Sequence, residues 1–533
     1  MAHEGRQNHR FTRIAGSAAA VGLLLAATVV TGVQARNAGH AAGATPASGG
    51  SYVIRLTNPA DCLDPYKTAS SSSNFFDGLI LDPLLSVDNK GHYVGDLATK
   101  YTTNKAGTVL TFTLRQNVKF SNGDPFTATD VKFTFDRAID PATKSPVSAS
   151  QLAALQSTKV VSKYVVKLTL KNPFRPLLTN LTGGYTAILD HKVTPSCDKP
   201  IGTGIYKVTS TGTAFGDVIL TANKFHNFAP TWVLNKGAPY VTKLEVKTIA
   251  SDATAISELL AGGVDFTNVL GTQLSRLQGN KNIIIHKVPA QNVTFIEFNT
   301  SHPPFNNPAV RKAFAQIIDR KNIVKAALNN LGQPAYGPIP PAIPYYDKNV
   351  TKVAPKFNIS AATKVFSAQH ATGPYSLLSF NTPDVQTASE IIQADAGQAG
   401  MKVNIDTKGS VGDFIAQANK GAFDVLIIGY GYNDPDIMYF LLHSSQGGGK
   451  GLNWTNDTNN PKLDSLLEKG RTTLNKKQVA KIYNQTQELI DKQAEMLGVY
   501  TTIPLNGVRS NIKGYHTNAV GTIAYQDLYI KTK

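Results

Sequence analysis

Between Leu114 and Pro141 the chain reads LRQNVKFSNGDPFTATDVKFTFDRAIDP, and no other stretch restricts the possible folds as tightly. A strand ends in the turn-forming run Asn122-Gly123-Asp124-Pro125, and Thr127 with Asp130 three residues on is a helix-start signal. The helix that follows carries Val131, Phe133, Phe135 and Ala138 on its apolar side. It must stop at Asp140, because the residue before Pro141 is pushed out of the helical region. Strand, turn and capped amphipathic helix in direct succession belong to a mixed α/β domain.

The alternation continues along the chain. Ser51 to Arg55, Val109 to Leu114 and Tyr164 to Leu170 read as strands, and a helix carries Phe75, Phe76, Leu79, Ile80 and Leu84. Gly202 to Thr221 and Pro239 to Thr248 alternate again, Ala253 to Ala261 is helical, and Gln291 to Asn299 is a strand leading out of this region. After Pro308 the helices lengthen, the first running to Asn329. Tyr375 to Phe380 is then a strand, Thr387 to Ala399 a helix, Lys402 to Thr407 and Asp424 to Gly429 strands, a βαβ rhythm that marks a second lobe. Lys477 to Lys492 is a last amphipathic helix, and Leu497 to Ile503 is expected to return to the first lobe.

A chain of 533 residues is too long for one core. The expected division is a signal peptide at 1–35, a flexible leader at 36–50, lobe I at 51–86, a small α+β subdomain inserted at 87–189, lobe I again at 190–295, lobe II at 296–500 and a return at 501–533. Crossings near 290–300 and 497–503 would let two lobes close on a cleft by small dihedral changes.

The export signal is read from Arg6, Arg10 and Arg13, the apolar Ile14 to Val30, and the small residues around Val33-Gln34-Ala35. The alternative is an uncut segment kept as an anchor. No twin arginine precedes it, which favours the general secretory route. The leader, RNAGHAAGATPASGG, is small and polar. The net charge of +17 does not make this a nucleic-acid binder, since Lys and Arg are spread at ordinary spacing with no basic helix stripe. It describes a solvated basic surface.

Enzyme motifs are missing. No HExxH or CxxC occurs, and the 11 histidines are scattered, so no metal or other cofactor is expected. Gly447-Gly448-Gly449-Lys450 is followed by Gly451 where a phosphate loop needs Ser or Thr, and Gly202-x-Gly204 lacks the third glycine of a dinucleotide site. Asp434 and Asp436 flank Pro435 in a turn-forming sequence that shapes a loop. A secreted hydrolase assembled from distant residues remains the competing reading from another class.

The opening stretch resembles the signature of the family 5 extracytoplasmic solute-binding proteins, the peptide-type receptors of ABC importers. Further segments match in family order: Gly202-Thr203-Gly204-Ile205-Tyr206-Lys207; SELLAGGVDF from Ser257 to Phe266; Phe298-Asn299-Thr300 with Pro303-Pro304-Phe305 and VRKAFAQIIDR from Val310 to Arg320; and GYGYNDPD from Gly429 to Asp436. The resemblance implies a type II two-lobed binding-protein fold. It implies a receptor, expected to be a monomer, that encloses a solute and delivers it to permease subunits in the membrane. Oligopeptide is the leading ligand, an oligosaccharide or other non-peptide solute the alternative.

It also implies the site. Thr68, Ala69, Ser70 and Ser71 match positions that face the ligand backbone from lobe I, and Tyr430, Gly431, Tyr432, Asn433 and Asp434 form the facing loop of lobe II. Trp454 is either a platform for a sugar face or a packed loop residue. The fold would bring Cys62 and Cys197, the only cysteines, into one lobe as a structural disulfide. Two departures matter. No cysteine follows the apolar N-terminal run, so the lipid anchor of many relatives is not expected, and Gly431 stands where peptide-binding relatives carry an aspartate for the ligand's α-amino group. Either another acid such as Asp434 takes that role, or the ligand has no free amine at that end.

Overall fold

The computed structural model describes residues 46–531. The expected signal at 1–35 and most of the leader at 36–50 lie outside them. No helix among the described residues is long and apolar enough to cross a membrane.

Seven alternating segments pair into the sheet of the first lobe, in the spatial order Ile283–Lys287, Leu505–Arg509, Phe266–Asn268, Ser51–Leu56, Lys243–Thr248, Asp217–Ala222 and Tyr206–Thr211. Ser51–Leu56 runs parallel to Lys243–Thr248, with Ile54 opposite Val246. The period of two sends Tyr52, Ile54, Leu244 and Val246 into one core. Gly202 and Gly204 lead into the last strand of this sheet. A side chain at either would strike the backbone at Ile80, with the nearest atom 2.2 Å from a Cβ at 202, so the chain can pass the end of the Ser71–Ile80 helix only as glycine.

An antiparallel four-stranded sheet, Ala98–Thr103, Val109–Leu114, Val165–Leu170 and Leu155–Ser162, forms the added subdomain. The helix Ala128–Ile139 packs on it and begins with the capping box read from sequence: the Thr127 backbone N–H donates to Asp130 Oδ2 at 2.7 Å. Val131, Phe135 and Ala138 are buried, whereas Phe133 is only half-buried and Thr134 takes the inner position, donating to the Leu189 carbonyl.

The second lobe holds a six-stranded sheet in the order Gly332–Pro334, Met496–Thr502, Asn292–Phe298, Val425–Gly431, Tyr375–Phe380 and Val403–Lys408. Tyr375–Phe380, the helix Pro383–Gln398 and the parallel strand Val403–Lys408 make the βαβ unit expected from the rhythm. Helices cover both faces, in two separate apolar clusters. The segment read as one helix from Pro308 to Asn329 is two, Pro308–Gln316 and Arg320–Leu328, because Asp319 caps the second by accepting from the Asn322 N–H. The first-lobe helix ends at Ile80, leaving Leu84 outside it.

Both crossings are displaced from the expected positions. Asn292–Phe298 is already a strand of the second sheet, so the outward crossing lies at 288–291. Met496–Thr502 also belongs to the second sheet, and the return is at Ile503-Pro504. Proline has no N–H for the ladder, which ends the strand there. The two crossings run side by side, the Val288 N–H donating to the Pro504 carbonyl at 2.9 Å. Cys62 and Cys197 form a disulfide with their Cα atoms 4.4 Å apart.

Candidate functional site

A cavity of about 660 Å³ opens between the lobes. One wall is the helix Ser71–Ile80, which presents Asn74, Phe75, Asp77 and Gly78. Ser70 starts this helix as its N-cap, and Phe76, Leu79 and Ile80 anchor its other side in the first-lobe core. Subdomain residues Gln151, Thr179, Asn180 and Gly183 to Tyr185 continue the wall. The opposite wall is Gly431, Tyr432 and Asn433, at the end of a second-lobe strand.

The walls are joined at one end by buried hydrogen bonds between subdomain and second lobe. Arg175 holds Asp434 with two N–H donors at 2.8 and 2.6 Å and donates further to Tyr483 Oη and the Gly470 carbonyl. Thr179 Oγ1 donates to the same carboxylate at 2.8 Å, and Tyr432 Oη donates to Asn180 Oδ1 at 2.8 Å. Burial pushes the Asp434 carboxyl up, but the Arg175 guanidinium, with hydrogen bonds from the Asp436 N–H and Thr179, overrules it and holds the group below the usual carboxylate range. Nearby Asp436 has Arg471 at 3.0 Å, yet burial dominates and raises it to about 7. Tyr93, whose hydroxyl donates to Thr179 Oγ1 at 2.6 Å, is pushed up to about 12 by burial and by Asp434.

Asp77 is the opposite case. It is 0% exposed, and neither carboxylate oxygen has a hydrogen-bond partner among the described residues. Burial raises its carboxyl well above the usual range, and the Asp64 and Asp61 carboxylates raise it further. Asp82 and Asp96, deeper in the cavity wall, are also raised by burial, although Arg115 lies near enough to oppose the effect.

Of the residues singled out from sequence, Gly431, Tyr432 and Asn433 line the cavity and the others do not. Thr68 is buried in its own loop, its hydroxyl donating to Asp61 Oδ1 and accepting from the Ser70 N–H. Ala69 and Ser71 are exposed outside the cavity, and the Ser70 side chain is committed to the helix cap. The first-lobe contribution therefore comes from residues 74–78. Tyr430 packs on the apolar cluster under its own lobe. Asp434 is bound to Arg175 and is not free to receive an amine. Trp454 is no sugar platform: it is 2% exposed, meets Phe414 edge-on at 5.9 Å and donates from Nε1 to Asn419 Oδ1.

Sequence reasoning missed Asn74, Asp77, Arg175 and Asn180. A signal for Asp77 was present: it is the one charged residue in the apolar run FFDGLI. Arg175 had none, since its partner is 259 positions away.

Comparison with known proteins agrees with this architecture. Residues 92–451 match the model of the middle region of bacterial extracellular solute-binding proteins, family 5. The chain is 24% identical over 486 residues to the oligopeptide-binding protein OppA of Bacillus subtilis (strain 168), covering 84% of this chain and 87% of that one. It is 26% identical over 478 residues to the glutathione-binding protein GsiB of Escherichia coli (strain K12), covering 87% and 91%. Among solved structures, a dipeptide-binding protein from Pseudoalteromonas sp. SM9913 in complex with Met-Leu superposes with a TM-score of 0.77 at 23% identity, over 90% of this chain and 100% of that one. With the family model spanning more than half its length, on a two-lobed fold with a cavity at the lobe junction, the chain belongs to the family 5 bacterial extracellular solute-binding proteins.

Proposed function

We propose that this protein captures an oligopeptide-like solute between its lobes outside the cytoplasm and delivers it to the permease of an ABC importer. The observation that carries this reading is a cavity with walls from both lobes, each ending in groups suited to a peptide backbone. Asn433 on one side and Asn74 and Gln151 on the other offer amide groups, Tyr432 and Asn180 are hydrogen-bonded to each other across the cleft, and Phe75 adds apolar surface. Such a lining holds an extended backbone while leaving side chains in hydrated space. OppA and GsiB, whose names record an oligopeptide and glutathione as ligands, support a peptide-like class.

The first lobe comprises residues 51–287 with the subdomain inserted, and again 505–531; the second comprises 292–502. Closure turns on the paired crossings at 288–291 and 503–504, and the ligand favours the closed form by touching both lobes. The protein works as an exported monomer, binds no nucleic acid and catalyses no reaction. Mass spectrometry of the small molecules released when protein purified from its own host is denatured tests the reading. A short peptide, stoichiometric with protein, is expected; a saccharide or a lipid would refute the peptide class.

A further inference from the structure

The protein carries a net charge of +17, yet the titratable side chains that border its cavity are mainly acids. Asp77, Asp82 and Asp96 are there, against Arg55 and His226. Arg55 is already spent elsewhere: it donates to the Ile249 and Ala250 carbonyls and pairs with Asp252 at 2.8 Å. Asp82 accepts from Thr203 Oγ1 at 2.7 Å, and Arg115 lies near both it and Asp96. Asp77 alone has neither a donor nor a neighbouring cation among the groups that act on it.

Its surroundings are acceptors as well. Asn74 Oδ1, one helical turn earlier, is also buried without a partner among the described residues, as is Gln151 Oε1 elsewhere in the cavity lining. Gly184 packs closely against this corner: a Cβ there would come within 2.6 Å of Asn74 Oδ1 and 2.7 Å of Asp77 Cβ, so only glycine fits beside the two side chains. Buried oxygens with no donor are costly to leave so, and a group that brings several N–H donors together with positive charge relieves the cost at all of them. On the opposite wall Gly431 contributes no charge, and Asp434 is consumed by Arg175.

From this we infer that Asp77, on the first-lobe helix, is the counter-charge for a primary ammonium of the solute, with Asn74 Oδ1 accepting another of its N–H donors. The inference rests on the peptide reading and deepens it: the solute carries a free amine, received by the first lobe and not by the residue-431 loop. The departure at Gly431 then marks a relocated amine site and not a ligand without an amine.

Calorimetric titration of the full protein with tetra-alanine and with N-acetyl-tetra-alanine tests this. The free-amine peptide is expected to bind about 10- to 100-fold more tightly than its acetylated form, and Asp77→Asn to abolish that preference. The wild-type comparison needs no variant and stands even if Asp77→Asn fails to fold. Equal affinity of wild type for the two peptides, or a preference that survives Asp77→Asn, overturns the amine site and leaves the peptide reading intact. Binding of neither peptide to wild type overturns the peptide reading and the amine site with it.

Discussion

Two buried aspartates stand near the same cleft and have opposite surroundings. Asp434, in the second lobe, receives two N–H donors from Arg175, one O–H from Thr179 and the Asp436 backbone N–H. Asp77, in the first lobe, receives no donor from the described residues. Both are at most 1% exposed, so solvent cannot account for the difference. A carboxylate whose hydrogen-bonding capacity is filled by protein belongs to the architecture, here the contact that holds subdomain and second lobe together. One whose capacity is empty costs stability, and a binding protein retains such a group where a ligand completes it.

The contrast can be broken most forcefully at Arg175. Arg175→Ala leaves Asp434 buried without its cation, and the expected cost is about 3–5 kcal/mol, read as a lowered midpoint in thermal or urea unfolding. An unchanged midpoint would mean that the pair contributes nothing.

Removing the charges themselves should move stability in opposite directions. Asp434→Asn loses charge-assisted hydrogen bonds and should destabilise at neutral pH by about 1.5–3 kcal/mol. Asp77→Asn replaces an unpartnered buried carboxyl with a group that cannot ionise and should stabilise by about 0.5–2 kcal/mol, while impairing amine binding. Side-by-side unfolding curves decide, and a loss of stability in both variants would erase the distinction.

The pH dependences differ in the same sense. A carboxyl held below its unfolded value contributes stability that is complete above the usual carboxylate range and is lost as pH falls through the lowered folded value; this is Asp434. A carboxyl raised by burial has the reverse sign. The native form binds its proton more tightly, so stability declines as pH rises from the usual carboxylate range towards the raised value, as for Asp77 and, toward about 7, for Asp436. Asp434→Asn should therefore flatten the acid limb of the stability profile, and Asp77→Asn the decline towards neutrality.

The smallest effect is expected at Gly431. A Cβ there meets nothing nearer than 3.7 Å, so Gly431→Asp should fold with stability within about 0.5 kcal/mol of wild type. A large loss would show that glycine is required by packing at that position.

How much of this was legible in the chain depended on distance along it. The strand, turn and helix from Leu114 to Pro141 were readable because the capping box and the proline stop act within a few residues. The βαβ unit from Tyr375 to Lys408 was readable from its period. The crossings were misplaced because strand propensity continues through Met496–Thr502 without revealing which sheet it joins; only Pro504 ends it. Gly431 to Asn433, to which the family motif pointed, lie at the end of a second-lobe strand and line the cavity. Residues 68–71 lie outside the cavity lining, the polar groups of Thr68 and Ser70 serving a loop and a helix cap. Arg175 and Asp434 meet only in three dimensions, and whether an aspartate is satisfied cannot be read from its neighbours in sequence.

The central claim is that a peptide-like solute lies between the lobes with its amine at Asp77. A crystal structure of the protein grown with tetra-alanine tests it most directly. The account predicts an extended peptide between Gly431–Asn433 and the Ser71–Ile80 helix, its ammonium within hydrogen-bond distance of Asp77. A peptide bound elsewhere on the surface, or one in the cleft with its amine turned towards the second lobe, would contradict it.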